Sequence, residues 1–233
     1  MIPLRDTTKS GSFPFVNSAF IAINIAVFIY EIWITGDQRL FMYRFGLVPA
    51  IVTTELEIGI TNRIYPFITS MFLHAGWMHI IGNMIFLFIF GDNIENRMGH
   101  IRYLFFYILA GIFAAIIQFL INTKSVIPIV GASGAISGVL GAYLVFFPRS
   151  RILTVVPILF FFRLIHLPAT VFIFVWFLIQ FLGGINSASR AGDVGGVAFW
   201  AHIGGFAAGL VLSQYFDKEK SYRQKSFNGY YKN

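Results

Sequence analysis

The fold turns on one stretch, Trp77-Met78-His79-Ile80-Ile81-Gly82-Asn83-Met84-Ile85-Phe86-Leu87-Phe88-Ile89-Phe90. It contains no Asp, Glu, Lys or Arg. Counted back to Phe72, it reaches the roughly 20 mostly apolar residues that a membrane-crossing helix needs. Two polar side chains interrupt it, His79 and Asn83, four residues apart and therefore on one helix face. Polar groups at membrane depth are costly, which makes them candidates for function.

The rest of the 233-residue chain has the same character, with 57% apolar residues, 18% aromatic and 12% charged. A soluble domain carries about 25% charged residues. Mean hydropathy is +0.75. This composition excludes a disordered chain, a coiled coil or an ordinary soluble enzyme, and predicts an all-α polytopic membrane protein. Five further spans are expected at about 17–34, 101–121, 133–147, 168–184 and 197–216, giving six. The first, preceded by Arg5 and Lys9, is too long for a signal peptide and has no small-residue cleavage site after it. Residues 36–70 read as a long, aromatic-rich structured loop, and such loops are usually functional. Residues 152–167, broken by Pro157, Arg163 and His166, predict a re-entrant or interfacial segment. The expected organisation is a short cytoplasmic N-terminus (1–16), a six-helix membrane domain (17–216) and a basic cytoplasmic tail (217–233). With no cysteine in the chain, thiolate nucleophiles, thiolate zinc sites, Fe–S clusters and disulfides are excluded.

The net charge of +7 first suggests nucleic acid, but sorting by predicted topology removes that partner. Twelve Lys and Arg fall on the side of the termini and five on the other. The acidic residues divide five and five, so the whole excess sits on one face. By the positive-inside rule both termini are cytoplasmic, and the excess suits anionic lipid headgroups. The absence of a large soluble domain points to a minimal prokaryotic form in the inner or plasma membrane. The sequence carries no signal for oligomeric state.

Three stretches could carry chemistry. Gly131-Ala132-Ser133-Gly134 opens the fourth span, where a serine sits beside unpaired backbone N–H groups at the positive end of the helix dipole. That suits a nucleophile whose reaction develops an oxyanion; an N-cap serine with packing glycines is the structural alternative. Ala201-His202-Ile203-Gly204-Gly205 lies in the sixth span, where the histidine is either a base or one end of an interhelical hydrogen bond. Ala201, Gly205 and Gly209 form a small-residue stripe, as do Gly134, Gly138 and Ala142, and such stripes let helices approach closely. Packing of the two stripes would bring Ser133 and His202 together. In the third stretch, His79 and Asn83 can donate to an oxyanion. The alternatives are a metal pair or polar packing. No HExxH and no nearby carboxylate accompany them, so no metal is expected. Asp193 is the acidic residue nearest upstream of His202.

In order along the chain these motifs (His79 with Asn83, then Gly131 to Gly134, then Ala201 to Gly205) resemble the rhomboid intramembrane serine proteases. The run Ile68 to Trp77 and the turn Glu95-Asn96-Arg97-Met98-Gly99-His100 with Tyr103 are also similar to that family. The resemblance implies a six-helix bundle with Ser133 as nucleophile and His202 as general base. It implies an oxyanion hole from the Ser133 N–H, His79 and Asn83, with Gly131, Gly134 and Gly205 in support. Span five and the loop at about 185–198 would form the substrate gate. Two positions depart from the pattern. Ser137 stands where some members place an aromatic against the imidazole, which leaves open what orients His202. Tyr65-Pro66 stands where many have Trp-Arg, so a different anchoring of the first loop is expected.

The implied substrates are transmembrane proteins in the bilayer, cut near small residues with helix-weakening residues beyond. Ser133 would lie at the floor of a wet cavity, and no cofactor is required. The competing readings are a catalytically weak relative that binds transmembrane clients and a channel or transporter. Retention of both serine and histidine opposes the first. The ordered motifs, and the lack of paired carboxylates within the spans, oppose the second.

Overall fold

The structure, a computed structural model, describes every residue except 9, 34–35, 55–58, 159–160, 190–197 and 219–233. It runs β1 (Ile2–Asp6), α1 (Phe15–Trp33), α2 (Gln38–Phe45), α3 (Pro49–Thr53), α4 (Ile60–Ile64), α5 (Pro66–Thr69), a 3₁₀ turn (Ser70–Phe72), α6 (Trp77–Met98), α7 (His100–Ile121), α8 (Ser133–Phe146), β2 (Arg151–Ile158), β3 (Phe161–Pro168), α9 (Ala169–Ser189) and α10 (Phe199–Phe216). Four helices, α1, α6, α7 and α9, are long and apolar enough to cross a membrane. Helix α8, with 14 residues, spans only about 21 Å at 1.5 Å per residue.

Its shortness goes with its position. Every residue from Gly134 to Tyr143 is buried, as expected for a helix that is apolar or small all round. Helices α6, α7, α9 and α10 pack around it. The small-residue stripes meet as the sequence predicts. A Cβ on Gly205 or Gly209 would land on the carbonyl oxygen of Gly134 or Gly138, so α8 and α10 touch backbone to backbone. Below this contact the core is aromatic, with Phe90, Tyr103, Phe106, Tyr107 and Tyr143 fully buried.

Helix α6 continues beyond Phe90 through Gly91-Asp92-Asn93 to Met98 and is closed by Gly99 (φ +84°). The polar residues beyond Phe90 are fastened within the fold. The Glu95 carboxylate accepts from the Val16 and Asn17 N–H groups in the first turn of α1 at 2.9 and 2.7 Å, where no intrahelical acceptor is available. His100 Nδ1 lies 2.5 Å from the same carboxylate. Arg97 pairs with Asp217 at the end of α10 at 3.0 Å.

The all-α expectation is corrected by an antiparallel sheet in the order β1-β2-β3. The segment expected to be re-entrant or interfacial is the β2–β3 hairpin, with Arg151 opposite Pro168 and Val155 opposite Leu164. Its Ile152 and Thr154 are buried on one face, the period-2 pattern of a half-covered strand. The N-terminus is not a free tail either, because β1 pairs with β2, Ile2 opposite Val155 and Asp6 opposite Ile152.

The first loop is built from short helices stitched to one another. Arg63 donates to the Val52 and Thr54 carbonyls at 2.5 and 2.9 Å. Tyr65 Oη donates to the Arg44 carbonyl at 2.6 Å, and Thr69 Oγ1 to that of Phe45 at 2.5 Å. The anchoring that Pro66 cannot supply comes from its neighbours. The basic tail beyond Lys218, most of the expected gate loop and Asp193 lie outside the described residues.

Candidate active site

Gly131 turns the chain into α8 with φ +125°, in the left-handed region open to glycine. Its N–H donates to the Ser70 carbonyl at 2.8 Å. A Cβ there would lie 2.6 Å from His79 Nε2, so glycine serves both the turn and the close approach of His79. Ser133 follows as the first helical residue, and no side chain caps the N-terminus of α8. The capping alternative for this serine is thereby set aside. Its hydroxyl faces across to α10.

There, Ser133 Oγ lies 2.7 Å from His202 Nε2, a hydrogen-bond distance set by the backbone contact between α8 and α10. His202 is 9% exposed. Its other ring nitrogen, Nδ1, lies 2.7 Å from Gln180 Oε1 on α9. Trp176, one turn earlier on α9, flanks the imidazole with ring centroids 6.1 Å apart. Ser137, where an aromatic was sought, is buried and donates to the Ser133 carbonyl at 2.6 Å.

His79 and Asn83, on one face of α6, line the same cavity of about 730 Å³ as Ser133, His202, Trp176 and Phe86. Asn83 Nδ2 is buried and has no hydrogen-bond partner among the described residues. A buried donor left unpaired costs about 1–3 kcal/mol, and its retention at a cavity beside a serine suits an anion that forms only during reaction. The six expected residues Gly131, Ser133, Gly134, His202, His79 and Asn83 are thus gathered at one place, and Gly205 holds the helix contact beneath them. Among the described residues, no three His, Asp or Glu side chains are grouped to hold a metal ion.

Sequence reasoning missed Gln180 and Trp176. Their signal was faint: in the apolar run from Val171 to Ile185, Gln180 is the one residue with a strongly polar side chain. His74, which the sequence reading places in the same stretch as His79 without a role, is fully buried with its ring 5.1 Å from that of His79.

The Rhomboid domain family matches residues 61–218, a range that includes every residue of the site. RHOMBOID-like protein 1 of Arabidopsis thaliana is 29% identical over 88% of the chain and 54% of its own length. The mitochondrial rhomboid protein 1 of Saccharomyces cerevisiae is 29% identical over 86% of the chain and 53% of its own length. Rhomboid protease GluP of Bacillus subtilis is 32% identical over 62% of the chain and 25% of its own length. The chain spans about half the length of the curated relatives it matches most fully. With the family match extending from the first loop to the end of α10, the chain is an integral membrane protein that belongs to the rhomboid family.

Proposed function

We propose that the protein is an intramembrane serine endopeptidase that cuts transmembrane protein substrates through a Ser133–His202 dyad. The 2.7 Å contact between Ser133 Oγ and His202 Nε2, at an uncapped helix N-terminus, carries this reading. His202 takes the hydroxyl proton as Ser133 attacks the substrate carbonyl. The oxyanion is met by the Ser133 N–H, Asn83 Nδ2 and His79. His202 then protonates the leaving amine, and a water activated by His202 hydrolyses the acyl-enzyme. The cavity supplies the water that the bilayer core lacks. The reading includes six membrane crossings over residues 17–216, with 1–16 and 217–233 on the cytoplasmic side of a cell membrane. It calls for no cofactor.

The test is labelling of the detergent-purified chain with a serine-reactive fluorophosphonate, beside Ser133→Ala and His202→Ala, followed by cleavage of a transmembrane reporter. Labelling and cleavage by the unmodified chain, lost in both variants, support the dyad. Equal labelling of all three refutes it. Binding of the reporter without labelling or cleavage favours the client-binding relative.

A further inference from the structure

A general base in this position works in one tautomer only. Nε2 must be free to accept the serine proton, so Nδ1 must carry the hydrogen of the neutral ring. Which nitrogen is protonated is set by the hydrogen bond that the other ring nitrogen makes. In the serine hydrolase triad a carboxylate performs this service from the Nδ1 side. At His202 the group 2.7 Å from Nδ1 is Gln180 Oε1, an amide carbonyl. A carbonyl oxygen accepts and does not donate, so with Oε1 turned to the ring this contact fits the Nδ1–H form, the one that leaves Nε2 free to accept from Ser133.

The surroundings leave this position to α9. Ser137 is occupied by its bond to the Ser133 carbonyl and offers the imidazole no ring. Trp176 and Gln180 are four residues apart, on one face of α9, and both reach His202. Serine and histidine are fixed to each other by the contact between α8 and α10, whereas ring plane and tautomer are set from a third helix.

We propose that Gln180 is the positioning residue for His202, holding the imidazole through an Nδ1–H···Oε1 bond in the tautomer and plane from which Nε2 takes the Ser133 proton. The inference rests on the Ser133–His202 reading, and its test begins with the unmodified chain. If that chain neither labels with fluorophosphonate nor cleaves the reporter, the dyad reading fails first.

In an active protein, two measurements address Gln180. The first is nitrogen NMR of histidine-labelled full-length protein in lipid nanodiscs near neutral pH, with the His202 signals identified by their loss in His202→Ala. Protonation at Nδ1 is expected, and a ring protonated at Nε2 overturns the proposal without any variant having to fold. The second is reporter kinetics of Gln180→Leu and Gln180→Glu, each checked for unchanged thermal unfolding. At metal-bound histidines, removal of the partner that orients the imidazole costs about 10–100-fold, and by that analogy Gln180→Leu should lose a similar factor in kcat with KM near the original. Gln180→Glu keeps the acceptor and should recover most of the loss. Its carboxylate also favours the imidazolium, so the acid limb of the rate profile should move to higher pH. A folded Gln180→Leu enzyme with unchanged kcat overturns the proposal.

Discussion

Asn83 shows what a single residue contributes at this site. Its Nδ2 is buried without a partner among the described residues, and a buried donor left unpaired costs the resting protein free energy. Asn83→Ala should therefore separate stability from activity. The melting temperature should stay level or rise, while kcat falls about 10²–10³-fold, the size expected for one oxyanion donor; thermal unfolding and reporter cleavage measure the two. Gly131→Ala should act differently. Its methyl meets His79 Nε2 at 2.6 Å in a backbone with φ +125°, and both the serine turn and His79 must shift. Since displacement by about 1 Å can cost 10²-fold, labelling of Ser133 by fluorophosphonate should slow by roughly that factor. Ser133, His202, His79 and Asn83 stood out in the sequence as polar groups in apolar spans, and the order of their motifs, as a family resemblance, joined them into one candidate site. Gln180 was not legible there, because its bond depends on how α9 is turned against α10, and a lone amide in an apolar run has no spacing to read.

At the scale of the elements, the α8–α10 contact has little tolerance for added volume. Gly205 faces the Gly134 carbonyl, and Gly138 has the Ala110 methyl 2.5 Å from where its own Cβ would stand. Gly205→Val should force the two helices apart and lengthen the Ser133–His202 bond, abolishing labelling together with a fall in melting temperature. The Glu95 carboxylate acts as a clasp between the α6–α7 turn and α1. Glu95→Ala strands two N–H groups at the start of α1, at about 1–3 kcal/mol for each one left buried and unpaired, and thermal unfolding should show the loss while fluorophosphonate labelling of Ser133 should persist. The sheet was the element least legible in the sequence. Pro157, Arg163 and His166 break the apolar run, and β1 lies about 150 residues away from its partner β2, a separation no local pattern encodes. That pairing brings Asp6 to Tyr143 and to Asn93 Nδ2, the latter at 3.0 Å. Burial raises its carboxyl above the usual 3.8, against the opposing effect of its hydrogen bonds. A carboxyl raised in the folded state contributes stability that is present in full below the unfolded value and lost as pH rises through the folded one. Asp6→Asn should therefore flatten the pH dependence of thermal unfolding above about pH 4.

For the whole molecule, the structure and the charges bear on topology independently. The clasp at Glu95, the Arg97–Asp217 pair and the β1–β2 ladder gather the start of α1, the α6–α7 turn, the α8–α9 hairpin and the end of α10 on one face. The bridge between Leu47 and Ile129 and the bond from Ala50 N–H to the Ser125 carbonyl join the first loop to the α7–α8 connection on the opposite face, beside Ser133. Among the described residues, hydrogen bonds thus place the first loop and the α7–α8 connection in one set and the α6–α7 turn and the α8–α9 hairpin in the other, and the proposed six crossings would put these two sets on opposite sides. In the proposed topology twelve Lys and Arg fall on the side of the termini and five on the other, a bias that by the positive-inside rule would put the termini in the cytoplasm. The chain has no cysteine, so single cysteines report position without background. Asn122→Cys, exposed at the end of α7, should react with a membrane-impermeant maleimide on intact cells. Ser12→Cys, exposed ahead of α1, should react only after the membrane is opened. The reverse pattern would invert the protein and put the site on the cytoplasmic side. Reaction of both on intact cells would instead break the six-crossing count, because α1, α6 and α7 would no longer cross in sequence.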